Sequence, residues 1–280
     1  MHVPFEQTGN SSGKDIIFVH GNGFTPQCYK PLIDNLTNTY LVKSMLLRPL
    51  WKTQHNTLQK LKNWSIFEND LENFIVQNRN YPITAIGHSI GGNIILKVAL
   101  KYPDYFNQII LLDPTVFDRT TIYLWKLVSL LGVAKKFLKQ IDLAENKRMK
   151  YKSRINMFEN YRGKRVFSKI SDHNLMILVD AITEVDEESN VNLIYSNLFE
   201  AEIYRSGLKN DNFIWNNLKN LKTNCLIIRG QNTDVFFKKT GIQMASISNK
   251  IKVKTLVGSS HLFPLEKPGK TYQLLKSSLR

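Results

Sequence analysis

Residues 83–92 read Ile83-Thr84-Ala85-Ile86-Gly87-His88-Ser89-Ile90-Gly91-Gly92, and this stretch decides the fold. An apolar run of strand length meets a Gly-x-Ser-x-Gly pentad, and Ile94, Ile95, Val98 and Ala99 then recur at helical spacing. Strand, tight turn and helix is the context in which a serine is presented as a nucleophile. Such a turn strains its central residue and draws neighbouring chain close, so positions 87 and 91 need glycine. Ser89 then stands at a helix N-terminus, where backbone N–H groups and the dipole favour negative charge. A glycine-rich turn carrying an ordinary serine has the same local pattern, so the rest of the chain has to decide.

Outward from this stretch, apolar strands alternate with helical segments. Asp15 to Val19 reads as a buried strand ending in the sharp loop His20-Gly21-Asn22-Gly23-Phe24. Thr25 and Pro26 read as the N-cap and first position of a helix running to about Leu36. Tyr40 to Leu47 is a strand, and Leu58 to Val76 a long amphipathic helix with Leu61, Trp64, Phe67, Leu71, Phe74 and Ile75 inward. Gln108 to Leu112 is a strand closed by Asp113-Pro114. The pattern resumes with a strand from Asn224 into Gly230, a helix near Lys238–Ile247 and a strand at Ile251–Val257. The loop Gly258-Ser259-Ser260-His261 and a last helix from Pro268 to Leu279 complete it. The first 14 residues have room for one short edge strand. This alternation predicts an α/β fold with a doubly wound, mostly parallel sheet. Thr115 to Asn217 interrupts it with several helices and no convincing buried strand. The expected division is a core of residues 1–114 and 218–280 and a helical insertion of residues 115–217.

Composition narrows the class. At 280 residues and 42% hydrophobic, the chain can bury one α/β core plus an insertion. Met1 to Gln7 lacks the basic-then-apolar layout of a signal peptide. No run reaches the ~20 apolar residues of a membrane span. Two cysteines, Cys28 and Cys225, are too few for a disulfide framework and are expected to be reduced, which points to a cytoplasmic protein. The net charge of +15 raises nucleic acid as a partner. However, 28 lysines against 10 arginines, with 27 asparagines, fits a biased codon pool, and no nucleic-acid motif with interleaved aromatics occurs. Nucleic acid is therefore not expected. Residues 119–169 carry a net +11 and residues 170–215 a net −7. These halves either face each other and water, or offer a basic face to an anionic substrate or lipid surface. The stretch Thr121–Lys139 leaves the same choice open. Its apolar part with Lys135, Lys136 and Lys139 behind it reads as a helix buried over the site, or as a weak membrane-surface contact.

A serine nucleophile needs a base, a group to orient that base, and donors for the oxyanion. Of six histidines, His2 is terminal, His55 and His173 lie in a loop and in the insertion, and His88 adjoins Ser89 but points elsewhere. His20 is expected to brace its loop by hydrogen bonds. His261 follows the last strand, on the sheet edge where ligands of parallel sheets bind, and is the expected base. Two carboxylates share that edge. Asp234 is favoured because chain order then runs Ser89, Asp234, His261, and Asp113 is the alternative. The expected oxyanion donors are the backbone N–H groups of Ile90 and of Asn22, with Gly23 next. Leu124, Trp125, Phe137 and Phe158 suggest an apolar pocket, or equally the packing of the insertion.

The set His20-Gly21-Asn22-Gly23, Gly87-His88-Ser89-Ile90-Gly91-Gly92, Asp234 and His261 resembles the α/β-hydrolase superfamily over about residues 15–114 and 218–280. The resemblance implies a Ser-His-Asp triad, no metal or organic cofactor, and an insertion acting as a cap. Serine at 89 argues against the branches that use a carboxylate nucleophile. The expected function is a serine hydrolase of an ester, a thioester or an amide, with a small or lipid-like substrate. The alternatives are a cofactor-free haloperoxidase, an acyltransferase or a carbon–carbon bond hydrolase on the same residues, or a non-catalytic ligand-binding relative. Acyl chain, leaving group and oligomeric state are not legible in the chain.

Overall fold

Apolar runs of five to seven residues form strands here because helices cover both faces of the sheet they build. The computed structural model describes residues 2–51, 60–78, 82–131, 139–207 and 212–279. In chain order the core elements are β1 (Phe5–Gly9), β2 (Lys14–Val19), α1 (Lys30–Thr37), β3 (Tyr40–Met45), α2 (Ser65–Asn78), β4 (Ile83–His88), α3 (Ile90–Lys101) and β5 (Phe106–Leu112). The insertion supplies α4 (Arg119–Leu130), α5 (Lys139–Glu145), β6 (Lys150–Tyr151), α6 (Arg154–Arg162), α7 (Asp172–Ala181), β7 (Thr183–Val185), β8 (Val191–Leu193), α8 (Asn197–Ser206) and α9 (Asn212–Asn217). The core resumes with β9 (Asn224–Gly230), α10 (Lys238–Ile247), β10 (Ile251–Leu256), α11 (Phe263–Glu266) and α12 (Pro268–Lys276).

Seven strands form one sheet in the order β1-β3-β2-β4-β5-β9-β10. β1 is an antiparallel edge strand, with Phe5 opposite Met45, and the other neighbouring strands pair in parallel. Side chains alternate between the faces. Ile17, Val19, Ala85, Ile109, Leu111 and Ile227 join the cluster that contains Phe67, Leu71, Ile94 and Ile95 of α2 and α3. Ile16, Phe18, Val42, Ile86, Ile110 and Leu226 join Leu32, Leu36 and Leu275 on the opposite face. The C-terminal ends of the parallel strands share one edge. The loops carrying Asn22, Ser89, Asp113, Thr233 and His261 all leave from it.

Two local expectations change. α2 begins at Ser65 rather than near residue 58, and residues 52–59, including His55, lie outside the described residues. Leu61 and Trp64 are buried, but the insertion holds them: Leu61 N–H donates to Glu202 Oε1 at 3.0 Å, and Trp64 Nε1–H to Ile203 O at 3.0 Å. Asn63 Oδ1 accepts the Ser65 N–H at 2.8 Å and starts the helix there. The insertion is not purely helical. It contains a three-stranded sheet, β6-β8-β7, whose strands of two and three residues are too short for a period-two pattern to register. Asp186 Oδ1 nucleates the β7–β8 turn by accepting from the Glu188 and Asn190 N–H groups at 3.1 and 2.8 Å.

The insertion shares its core with the sheet. Val116, Ile122, Phe199, Ile203 and Trp215 belong to one apolar cluster of the sheet, and Tyr151, Met157, Tyr161 and Leu175 to the other. Among the described residues, no helix is long and apolar enough to cross a membrane. Cys28 and Cys225 are buried and unpaired.

Candidate active site

The turn between β4 and α3 has the strain its glycines imply. Ser89 adopts φ 56°, ψ −118°, outside the usual allowed regions. A Cβ on Gly87 would lie 2.6 Å from the Gly91 carbonyl carbon, and one on Gly91 would lie 2.2 Å from Val19 O. Backbone hydrogen bonds hold the strain. Ser89 N–H donates to Leu112 O at 3.0 Å, and Ser89 O accepts from Thr115 N–H at 3.0 Å and from Asn93 N–H at 3.2 Å.

Ser89 Oγ lies 3.1 Å from His261 Nε2, and His261 Nδ1 lies 2.7 Å from Asp113 Oδ2. Asp113 is fully buried just past β5, with φ 45°. Its Oδ1 accepts from Gly230 N–H at 2.9 Å, and its Oδ2 also accepts from the Thr233 hydroxyl. Three donors thus converge on one carboxylate. An acceptor-only carboxylate at Asp113 calls for the proton on His261 Nδ1, and in the neutral ring that leaves Nε2 bare toward the serine.

The acid favoured from chain order, Asp234, is corrected here: the partner of His261 is Asp113. Asp234 is exposed in the turn after β9. That turn directs Thr233 and the Gly230 N–H inward, onto the end of the adjacent strand β5, and so selects the carboxylate already buried there.

The Ile90 N–H, at the first position of α3, has no intrahelical acceptor and stands beside Ser89. Asn22 is buried in the loop after β2, and the insertion grips its side chain. Asn22 Nδ2 donates to Glu200 O at 3.0 Å, while Tyr195 Oη–H donates to Asn22 Oδ1 at 2.9 Å. Gly23 follows at φ 80°, and a Cβ there would meet Glu200 Oε1 at 2.8 Å. The Glu200 carboxylate is paired with Lys147 Nζ at 2.6 Å.

Two buried histidines frame the site. His20 Nδ1 lies 2.9 Å from Gly21 O, and Leu47 N–H donates to its Nε2 at 3.1 Å, so this ring braces its loop. Burial pushes its pKa down to about 4. Gly21 N–H donates to Tyr29 Oη at 3.1 Å, and Tyr29 Oη–H donates to His88 Nδ1 at 2.7 Å. His88 Nε2–H then donates to His261 O at 3.1 Å. Burial, and next the neighbouring His261, hold the His88 pKa well below the ordinary histidine value. This chain ties the loop of Asn22 to the loop of His261. His2 and His173 are exposed.

Tyr29, Tyr195 and Thr115 belong to no sequence motif. Thr115 Oγ1 lies 3.1 Å from Ser89 Oγ, and the Asn93 amide fixes its carbonyl at 2.7 Å. Its position two residues past Asp113 is the one cue that could have found it. Of the suggested pocket residues, Trp125 is buried, Phe158 packs in the core, Leu124 faces solvent, and Phe137 lies outside the described residues. Among the described residues, no three His, Cys, Asp or Glu side chains are grouped to hold a metal ion.

Comparison with known proteins agrees with this architecture. Residues 11–268 match the family described as serine aminopeptidase, S33. A type I acyl-CoA thioesterase of Penicillium brevicompactum is 32% identical over 115 residues, covering 36% of this chain and 26% of that protein. The chain thus spans about a quarter of the length of the curated relatives it matches. E-2-(acetamidomethylene)succinate hydrolase superposes with a TM-score of 0.74 at 15% identity, covering 99% of this chain and 98% of that one. The thioesterase domain from the curacin biosynthetic pathway superposes with a TM-score of 0.73 at 13% identity, covering 99% of both chains. With its parallel sheet, strained serine turn and match over most of its length, this chain belongs to the serine aminopeptidase S33 family of α/β hydrolases.

Proposed function

We propose that this protein hydrolyses a carboxylic ester or thioester through Ser89, His261 and Asp113. The observation that carries the reading is the unbroken chain from Ser89 Oγ through the His261 ring to the buried Asp113 carboxylate. His261 Nε2 takes the Ser89 proton as Oγ attacks the carbonyl carbon. The Ile90 and Asn22 N–H groups receive the oxyanion of the tetrahedral intermediate. Asp113 holds the Nδ1–H tautomer and stabilises the imidazolium that forms. His261 then gives the proton to the departing alcohol or thiol. A water, deprotonated by the same nitrogen, attacks the acyl-enzyme, releases the acid and restores Ser89.

The thioester option draws support from the acyl-CoA thioesterase that matches part of the chain. The test is a panel of p-nitrophenyl esters and acyl-CoA thioesters of graded chain length, run beside a fluorophosphonate label. Labelling at Ser89, lost in Ser89→Ala together with turnover, is the expected result. No label at Ser89 and no turnover of either ester class would overturn the reading. No turnover of any acyl-CoA by an enzyme that cleaves the p-nitrophenyl esters would remove the thioester option.

A further inference from the structure

The helix α4 is apolar on two sides. Ile122 and Trp125 anchor it inward, being 0% and 6% exposed. On its other side Tyr123, Leu124, Leu127, Leu130 and Leu131 are 64%, 55%, 43%, 83% and 75% exposed. At helical spacing these five fall within one arc of about 120°. A contiguous apolar face of this kind on a soluble chain marks a contact surface. Arg119 and Lys126, both exposed, stand two turns apart along one border of the arc, with Arg119 Nη2–H donating to Trp215 O at 3.3 Å. Asp118, just before the helix, is engaged by the Thr120 and Thr121 N–H groups at 3.0 and 3.1 Å.

We propose that the exposed face of α4 docks onto an anionic lipid bilayer. Leucines and a tyrosine side by side, bordered by basic residues, suit the boundary between acyl chains and headgroups. Charge complementarity selects the lipid. The chain carries a net +15, and within the insertion residues 119–169 carry +11 and residues 170–215 carry −7, so the half that contains α4 is the basic one. A second copy of the same chain would bring an equal positive charge against this face. α4 begins six residues after Asp113, so docking would set the reactive edge of the sheet beside the lipid. The proposal does not depend on the hydrolytic reading, because none of these side chains belongs to that machinery.

The test is co-sedimentation of the full chain with phosphatidylcholine vesicles, with and without phosphatidylserine, at low salt and at 0.5 M salt. Binding to the phosphatidylserine vesicles that falls at least about tenfold in high salt is expected, since screening shortens the reach of surface charge. Lys126→Gln should weaken it about fivefold, the share of one basic residue near an anionic leaflet. Leu124→Ser with Leu127→Ser, on a solvent face that folding does not need, should weaken it at least about tenfold. Ser89→Ala should bind as the wild type does. Absence of binding to phosphatidylserine vesicles at low salt, or binding that the double variant leaves intact, overturns the proposal. So does a dimer in sedimentation velocity that the double variant dissolves without any vesicle binding.

Discussion

Replacing Asp113 by asparagine tests the site where the structure departs most from chain order. The Asp113 oxygens accept three protons: Gly230 N–H on Oδ1, and His261 Nδ1–H and the Thr233 hydroxyl on Oδ2. Asparagine has one acceptor oxygen and one donor group. If its oxygen keeps Gly230, its NH2 faces His261, and the imidazole must move its proton to Nε2. The proton then points at Ser89 Oγ, and the base has no free nitrogen. If the amide flips, its NH2 meets the fixed Gly230 N–H in a buried site. That leaves two donors face to face, at a cost of about 1–3 kcal/mol. The first arrangement therefore dominates, since the Thr233 hydroxyl can rotate to accept. A wrong-tautomer substitution of this type lowers kcat about 10⁴-fold, or about 5 kcal/mol of transition-state stabilisation. Asp234→Asn changes an exposed side chain and should stay within about threefold of the wild type, about 0.7 kcal/mol. The assay is steady-state hydrolysis of p-nitrophenyl acetate by each variant, with circular dichroism to establish that both fold. An Asp113→Asn enzyme within tenfold of wild type, or an Asp234→Asn enzyme down a hundredfold, would refute the reasoning.

Three further outcomes follow from named contacts. Tyr195→Phe removes the hydroxyl that orients Asn22 and keeps the ring, so kcat should fall about tenfold, one neutral hydrogen bond, with KM unchanged. A lowered melting temperature with kcat intact would reduce Tyr195 to packing. His20 and His88 are buried neutral, with pKa values held below the ordinary 6.5, for His20 at about 4. Their unfolded forms take up protons first, so their contribution to stability is complete above about pH 6.5 and is lost as pH falls toward 4. The slope is up to about 1.4 kcal/mol per pH unit for each ring. Ring signals of His20 and His88 that titrate between pH 8 and 5 by NMR would contradict this. Gly269→Ala adds a Cβ with nothing within 4 Å in α12 and should raise stability by about 0.5–1 kcal/mol in thermal melts. Gly91→Ala, aimed at Val19 O, should abolish soluble folding, and a wild-type melting curve for that variant would count against the strained turn.

The elements legible in advance were those whose cause is local. Gly87 and Gly91 could be read as close-approach positions because a Gly-x-Ser-x-Gly pentad between an apolar run and a helical period leaves few other conformations. The structure places a backbone carbonyl where each missing side chain would stand. His261 was legible because a parallel sheet sends every strand–helix loop to one edge. The same rule placed Asp113 and Asp234 together and could not separate them. What separates them is the cross-strand relation of β5 to β9, through the Gly230 amide and the Thr233 hydroxyl, more than 100 residues away in the chain. α2 misled for a similar reason. Leu61 and Trp64 fit its apolar stripe and join the same core, yet they precede the helix and hydrogen-bond to Glu202 and Ile203 of the insertion. Tyr195 and Glu200 carry the point further. Neither has a periodic or motif signature, yet together they fix the loop residue whose N–H faces the reacting carbonyl in the proposed reaction. In this chain the conformation of Ser89 is set by a turn, the contact of His261 with Asp113 by a strand pairing, and the loop of Asn22 by the insertion. Each step relies on contacts longer in sequence than the last, and legibility falls in the same order.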